Sequence, residues 1–86
     1  MKKKIAILGS TGSIGKSTLE IISKDKKNFN LILLTANNNY KKLIQQAKKF
    51  KARNVIINNN KFYLKVKNSL KKNKTKVYFG NTETNR

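Results

Sequence analysis

The sequence predicts an α/β fold, one layer of parallel strands flanked by helices. Two observations carry this. Apolar residues switch repeatedly between continuous, strand-like runs and helical spacing, and a glycine-rich bend marks the first switch. Strand followed by helix, three times over, is the alternation that gives parallel pairing through right-handed crossovers. At 86 residues the chain is bounded to one small domain.

The elements follow in order. Residues 5–8, Ile-Ala-Ile-Leu, form an apolar run closed by Gly9, which suits a short strand buried on both faces. From Ile14 the spacing becomes Ile14, Thr18, Ile21 and Ile22, one face of a helix. A polar stretch, residues 24–28, leads to a second apolar strand at 29–35. Asn37, Asn38 and Asn39 make a turn, and Tyr40, Leu43, Ile44, Ala47 and Phe50 then recur at helical spacing with lysines between them. Val55, Ile56 and Ile57 read as a third strand, and Asn58, Asn59 and Asn60 as another turn. Phe62 or Tyr63, with Val66 and Leu70, gives a further helical pattern; residues 76–79 form a last short strand before Gly80, and residues 81–86 show no stop signal.

Composition narrows the chemistry. Lys and Arg number 21 against three acids, for a net charge of +18, and His, Cys, Trp and Pro are absent. General base catalysis by His, thiol chemistry, disulfides and Cys/His zinc sites are therefore excluded from this segment. Glu20, Asp25 and Glu83 are too few for a hard-metal cage. So basic a domain attracts polyanions, but its lysines are spread from Lys2 to Lys76 and Arg occurs only as Arg53 and Arg86. Lys, Asn and Ile share A/T-rich codons, so genome bias accounts for the charge better than nucleic-acid binding does. Lys2, Lys3 and Lys4 before an apolar run imitate a signal peptide, yet the run is four residues long and an h-region needs about 7–15. No run approaches the 18 or so residues of a membrane span. The expectation is a soluble, cytoplasmic chain, with which the lack of Cys is compatible.

The informative segment is Gly9-Ser10-Thr11-Gly12-Ser13-Ile14-Gly15-Lys16-Ser17-Thr18, between the first strand and the first helix. Glycines there permit a sharp turn, close approach of a ligand and tight helix–strand packing, while the helix start offers unpaired N–H groups to a phosphate. Ser10, Thr11 and Ser13 are expected to add hydroxyl donors. A P-loop would need glycine where Ser10 stands, and an acid at a later strand end where Thr35, Asn58 and Gly80 are found. The dinucleotide-binding, Rossmann-like pattern is met instead by glycines at 9, 12 and 15, one residue looser than the usual first pair, with Lys16 a solvated first-turn lysine.

NAD-binding folds place an acid at the end of the second strand for the ribose 2′-hydroxyl. Here no acid lies between Asp25 and Glu83; the strand ends at Asn37, Asn38 and Asn39, with Lys41 and Lys42 following. Amide donors and ammonium groups suit a 2′-phosphate, so NADPH is expected over NADH. The same asparagines would also serve as caps of the next helix.

With these residues in hand, the chain resembles the 1-deoxy-D-xylulose 5-phosphate reductoisomerases. The match is strongest in Ile5-Ala6-Ile7-Leu8-Gly9-Ser10-Thr11-Gly12-Ser13-Ile14-Gly15 and Ser17-Thr18-Leu19, and continues through Phe29, Leu34, Ala36, the three asparagines, Leu43, Gln46 and Phe50. The resemblance implies that Thr11, Gly12, Ser13 and Ile14 contact the cofactor's phosphates, and Gly9 and Gly15 join them as cofactor-binding residues of the same glycine loop. It also implies that Asn37, Asn38 and Asn39 surround the adenosine ribose and its 2′-phosphate. The family often has Gly and a basic residue at positions 37 and 38, where this chain has Asn.

Further implications concern a longer parent: an NADPH-dependent oxidoreductase of isoprenoid biosynthesis, homodimeric, that rearranges and reduces 1-deoxy-D-xylulose 5-phosphate. A divalent Mg or Mn ion chelates the substrate, and NADPH delivers hydride to give 2-C-methyl-D-erythritol 4-phosphate. Metal ligands, catalytic residues and lid have no counterpart in residues 1–86. The expectation is an N-terminal part of an NADPH-binding domain, an incomplete Rossmann-like sheet that binds NADPH at most and catalyses nothing alone. The first strand would keep an open apolar edge, and the isolated fold would be marginal. The alternatives are a small basic nucleic-acid or polyanion module, and the opening of another NADP-dependent dehydrogenase.

Overall fold

The computed structural model describes residues 2–80; residues 81–86, where the sequence shows no stop signal, lie outside the described residues. Four strands and three α-helices alternate: β1 (Lys3–Ile7), α1 (Ser13–Ser23), β2 (Phe29–Ala36), α2 (Tyr40–Phe50), β3 (Asn54–Ile57), α3 (Tyr63–Ser69) and β4 (Lys76–Phe79). The sheet is wholly parallel in the order β1-β2-β3-β4, so β4 takes the far edge and β1 has one unpaired edge among the described residues. Each strand lies beside its predecessor, and right-handed crossovers then carry all three helices to one face.

Register fixes which strand residues meet those helices. Ile7, Leu34, Val55 and Val77 align across the sheet, as do Ala36, Ile57 and Phe79 one step on. Residues in aligned positions of a parallel sheet share a face. Ile7, Leu34, Val55, Ala36 and Ile57 are buried with Leu19 and Ile22 of α1, Leu43 and Ala47 of α2, Val66 of α3 and Leu70 just beyond it, in one core. An irregularity between Ile5 and Ala6 pairs Ile5 with Leu31 but Ala6 with Leu33. The extra β2 residue lets both Leu31 and Leu34 turn inward, and both are buried.

Two expectations need correction. The first strand is not buried on both faces: it runs Lys3–Ile7, Ala6 is exposed, and Leu8 beyond its end is 74% exposed. Leu33 and Ile56, aligned with the opposite face, are only half-buried, and Tyr78 is exposed. The continuous apolar run signals a strand whose second face is uncovered here. The buried stripe of α1 is also Gly15, Leu19 and Ile22 rather than Ile14, Thr18 and Ile21; Ile14 is 84% and Ile21 67% exposed. Of the expected face only Ile22 is buried, and the helix turns Gly15 toward Gly9 and Ser10, where a Cβ would not fit.

Elsewhere the boundaries agree closely. α2 runs Tyr40–Phe50 as its periodicity predicts, and ends at Lys51 in the left-handed region, φ 53°. β4 is Lys76–Phe79. Asn58, Asn59 and Asn60 do form a turn, in which Asn59 caps a 3₁₀ segment, Asn60–Phe62, by accepting from Lys61 N.

Two substitutions separate the faces of the molecule. Leu34→Ala, at a fully buried site, is expected to lower the unfolding free energy by about 3 kcal/mol. Ile21→Ala should stay within about 0.5 kcal/mol. Urea titrations followed by circular dichroism measure both, and equal losses would refute the assignment of the buried face of α1.

Candidate functional site

Because the strands are parallel, the loops after β1, β2 and β3 emerge along the same sheet edge, and the helix starts face it. The first of these loops is the glycine segment. Gly9 has φ 68°, a conformation that side chains disfavour, and its carbonyl accepts from Gly12 N at 3.1 Å to close the turn. Gly12 is the N-cap of α1 with φ −80° and ψ 175°, and no side chain caps the helix. The first bond of helical spacing runs from Lys16 N to Gly12 O at 2.9 Å. Ser13, Ile14 and Gly15 precede it, so their N–H groups have no intrahelical acceptor. Gly12, Ser13 and Ile14 are exposed and Thr11 is half-buried, whereas Gly15 is buried. A Cβ on Gly15 would lie 2.5 Å from Gly9 O and 2.6 Å from Ser10 Cα, so glycine is what lets α1 close against the loop.

The inner side of the loop is held by a buried polar network. Ser10 is fully buried. Its N–H donates to Thr35 O at 2.8 Å, its hydroxyl donates to Gln46 Oε1 at 2.7 Å, and its carbonyl accepts from Gln46 Nε2 at 2.9 Å. Gly9 N donates to Thr35 Oγ1 at 2.9 Å. Among the described residues no buried side-chain nitrogen or oxygen is left without a partner. The sequence reading made Ser10 a hydroxyl donor at the ligand face. The structure instead turns it inward, where it anchors the loop to β2 and α2.

The second loop carries Asn37, Asn38 and Asn39, all exposed, between β2 and α2. Asn39 does cap α2, accepting from Lys42 N at 3.3 Å. Asn37 and Asn38 are bonded instead to the loop after β3: Asn58 Nδ2 donates to Asn37 Oδ1 at 2.6 Å, and Asn59 Nδ2 to Asn38 Oδ1 at 2.8 Å. Tyr40 at the start of α2 stacks on Phe62 with ring centroids 4.5 Å apart, fastening the same two loops.

All nine predicted site residues thus lie on two loops and the first turn of α1 at the same end of the sheet, joined through Thr35. Sequence reasoning missed Thr35, Gln46, Asn58 and Asn59 as parts of this arrangement. Gln46 left a readable signal, a polar residue inside the apolar stripe of α2 between Leu43 and Ala47. Among the described residues no three His, Cys, Asp or Glu side chains gather to hold a metal ion, and no helix is long and apolar enough to cross a membrane.

This geometry can be set beside known proteins. A model of the family described as 1-deoxy-D-xylulose 5-phosphate reductoisomerase matches residues 5–86. The chain belongs to this family. The reductoisomerase of Pelagibacter ubique is 55% identical over 76 residues, which span 88% of this chain and 20% of that protein. That of Wigglesworthia glossinidia brevipalpis is 50% identical over 84 residues, 94% of this chain and 21% of that one. The chain therefore spans about one fifth of the length of the curated relatives it matches. Among solved structures, the Zymomonas mobilis reductoisomerase in complex with NADPH superposes with TM-score 0.90 at 34% identity, over 93% of this chain and 21% of that one. A reductoisomerase in complex with NADPH, fosmidomycin and magnesium gives 0.85 at 28% identity, over 94% and 20%. The Rossmann-like fold is thus that of the reductoisomerases.

The buried anchor makes a direct prediction. Gln46→Leu leaves the Ser10 carbonyl and hydroxyl short of a partner and is expected to cost about 1–3 kcal/mol. Combining it with Ser10→Ala should recover part of that loss. A double-mutant cycle by urea denaturation measures the coupling, expected at about 0.5–3 kcal/mol; strict additivity would show that the two side chains do not act together.

Proposed function

We propose that this chain forms the N-terminal part of the NADPH-binding domain of a 1-deoxy-D-xylulose 5-phosphate reductoisomerase, holding the adenosine and pyrophosphate of the cofactor. Gly9, Thr11, Gly12, Ser13, Ile14 and Gly15 receive the phosphates; Asn37, Asn38 and Asn39 receive the ribose and its 2′-phosphate. The observation that carries this is the room at Gly12. Gly9 is required by its φ and Gly15 by its packing, but Gly12 has an ordinary backbone conformation and a Cβ there would meet only Gly9 O, at 3.5 Å. Among the described residues nothing demands glycine at 12. A ligand lying against the exposed, uncapped start of α1 does.

The residues present fit such a ligand. The free N–H groups of the first turn and the positive end of an 11-residue helix stabilise an anion. Ser10, Thr35 and Gln46 hold the loop in shape, so little ordering accompanies binding. The bound dinucleotide supplies hydride; this chain's residues orient its adenosine half and keep the first-turn amides of α1 facing it. The wider reading follows the family. The whole protein rearranges and reduces 1-deoxy-D-xylulose 5-phosphate, as a cytoplasmic homodimer. The catalytic and C-terminal domains, and the ligands of its divalent metal, are supplied by sequence outside residues 1–86. Similarity to a reductoisomerase solved with NADPH, and to one solved with NADPH, fosmidomycin and magnesium, supports the cofactor and the divalent metal in this reading. The basic-module alternative draws on net charge alone.

Two measurements test the proposal. Isothermal titration should show NADPH binding more tightly than NADH, and equal affinities would defeat the 2′-phosphate assignment. Gly12→Asp is expected to preserve or raise the melting temperature, since Asp is a good N-cap. It should weaken NADPH at least about tenfold by placing a carboxylate where the pyrophosphate lies. Unchanged affinity with an intact fold would remove the phosphate from this loop.

A further inference from the structure

The loop after β2 has a one-sided hydrogen-bonding character, and the loop after β3 creates it. Each backbone carbonyl from Thr35 to Asn39 already accepts a bond: from Ser10 N, Asn58 N, Asn59 N, Tyr40 N and Leu43 N respectively. The three side-chain oxygens are engaged as well, by Asn58 Nδ2, Asn59 Nδ2 and Lys42 N. Acceptors along this loop are thus committed to the protein itself. An asparagine amide has one accepting and one donating end, so fixing the oxygens of Asn37 and Asn38 toward the third loop turns their Nδ2 groups away from it. What remains toward a ligand is a surface of donors.

We propose that Asn58 and Asn59 are specificity-determining positioning residues, which set the hydrogen-bond polarity of Asn37 and Asn38 so that the loop favours a ribose 2′-phosphate over a ribose 2′-hydroxyl. The inference rests on the assignment of Asn37, Asn38 and Asn39 to the ribose. The chemistry is direct: a phosphate offers acceptors only and gains a charge-assisted bond from each N–H group it meets, while a hydroxyl accepts from the same groups more weakly and meets, for its own proton, only oxygens that already accept a bond. The second layer is itself held. A Cβ on Gly80, at the end of β4, would run into the Asn58 side-chain amide, so Asn58 is confined between the backbone of one neighbouring strand end and Asn37 on the other side. Asn58 and Asn59 also bond through their own N–H groups to Ala36 and Asn37 at 2.9 and 3.0 Å, and these bonds survive any side-chain change.

The test uses 2′,5′-ADP and 5′-AMP as probes in the intact protein that carries this chain, with affinities by isothermal titration. Asn58→Ala and Asn59→Ala each release an oxygen on the first layer, and the preference for 2′,5′-ADP over 5′-AMP is expected to fall roughly fivefold to tenfold, with 5′-AMP unchanged or tighter. Asn58→Asp, which can only accept and so draws the Asn37 amide round to donate, should lower the ratio further. Thermal melts by circular dichroism identify the variants that fold, and Asn58→Ser, whose hydroxyl can still donate to Asn37, should retain more of the preference than Asn58→Ala. A parallel fall for both probes would make the two residues merely structural and overturn the inference, as would an unchanged ratio in folded variants. If the unsubstituted protein itself shows no preference for the 2′-phosphate, it is the assignment of the ribose to this loop that fails.

Discussion

Ser10 is the residue on which the site depends. Its peptide and side chain face inward and are fully committed, to Thr35 on β2 and to Gln46 on α2. A loop rich in glycine would otherwise be loose, because glycine surrenders the most backbone freedom on folding. Anchoring the loop on its core side leaves the first-turn amides of α1, at Ser13 and Ile14, without an acceptor in the helix and at no large ordering cost. The same network links the glycine loop to the helix whose N-terminus bears the asparagines, so the two halves of the site are set by one buried cluster rather than by separate elements.

Much of the fold was legible in the sequence. The change of period across residues 9–15, the clean amphipathic pattern of α2 and the apolar stretch at 76–79 all reappear as elements. These signals come from burial against a single sheet face, and burial imprints periodicity. Where the reading failed, two faces were chemically similar. Ile14, Ile21 and Leu8 are as apolar as Leu19 and Ile22, and only the need of Gly15 to approach the Gly9 carbonyl decides which side of α1 turns inward. A steric requirement between two backbones leaves no hydropathy trace.

The candidate site divides in the same way. Its ligand-facing residues were readable, because glycine spacing after an apolar strand and a missing acid after the next one are local features. The supporting residues were not. Asn58 and Asn59 look like an ordinary polar turn until the sheet order brings the third loop beside the second, and their partners lie a whole strand–helix unit away. Gln46 stood out as a polar residue on a buried stripe, yet its partner could be found only once Ser10 was seen to point inward.

The strand order carries a consequence for assembly. Ile7 meets Leu34, Leu34 meets Val55 and Val55 meets Val77, so each new strand docks on the one made just before it. As the chain leaves the ribosome, every completed β–α unit finds its template already in place, and growth proceeds outward in one direction. β1 alone is different: it has a partner on one side only among the described residues, and the others add outward from it. The order in which these strands are made is thus the order in which they lie.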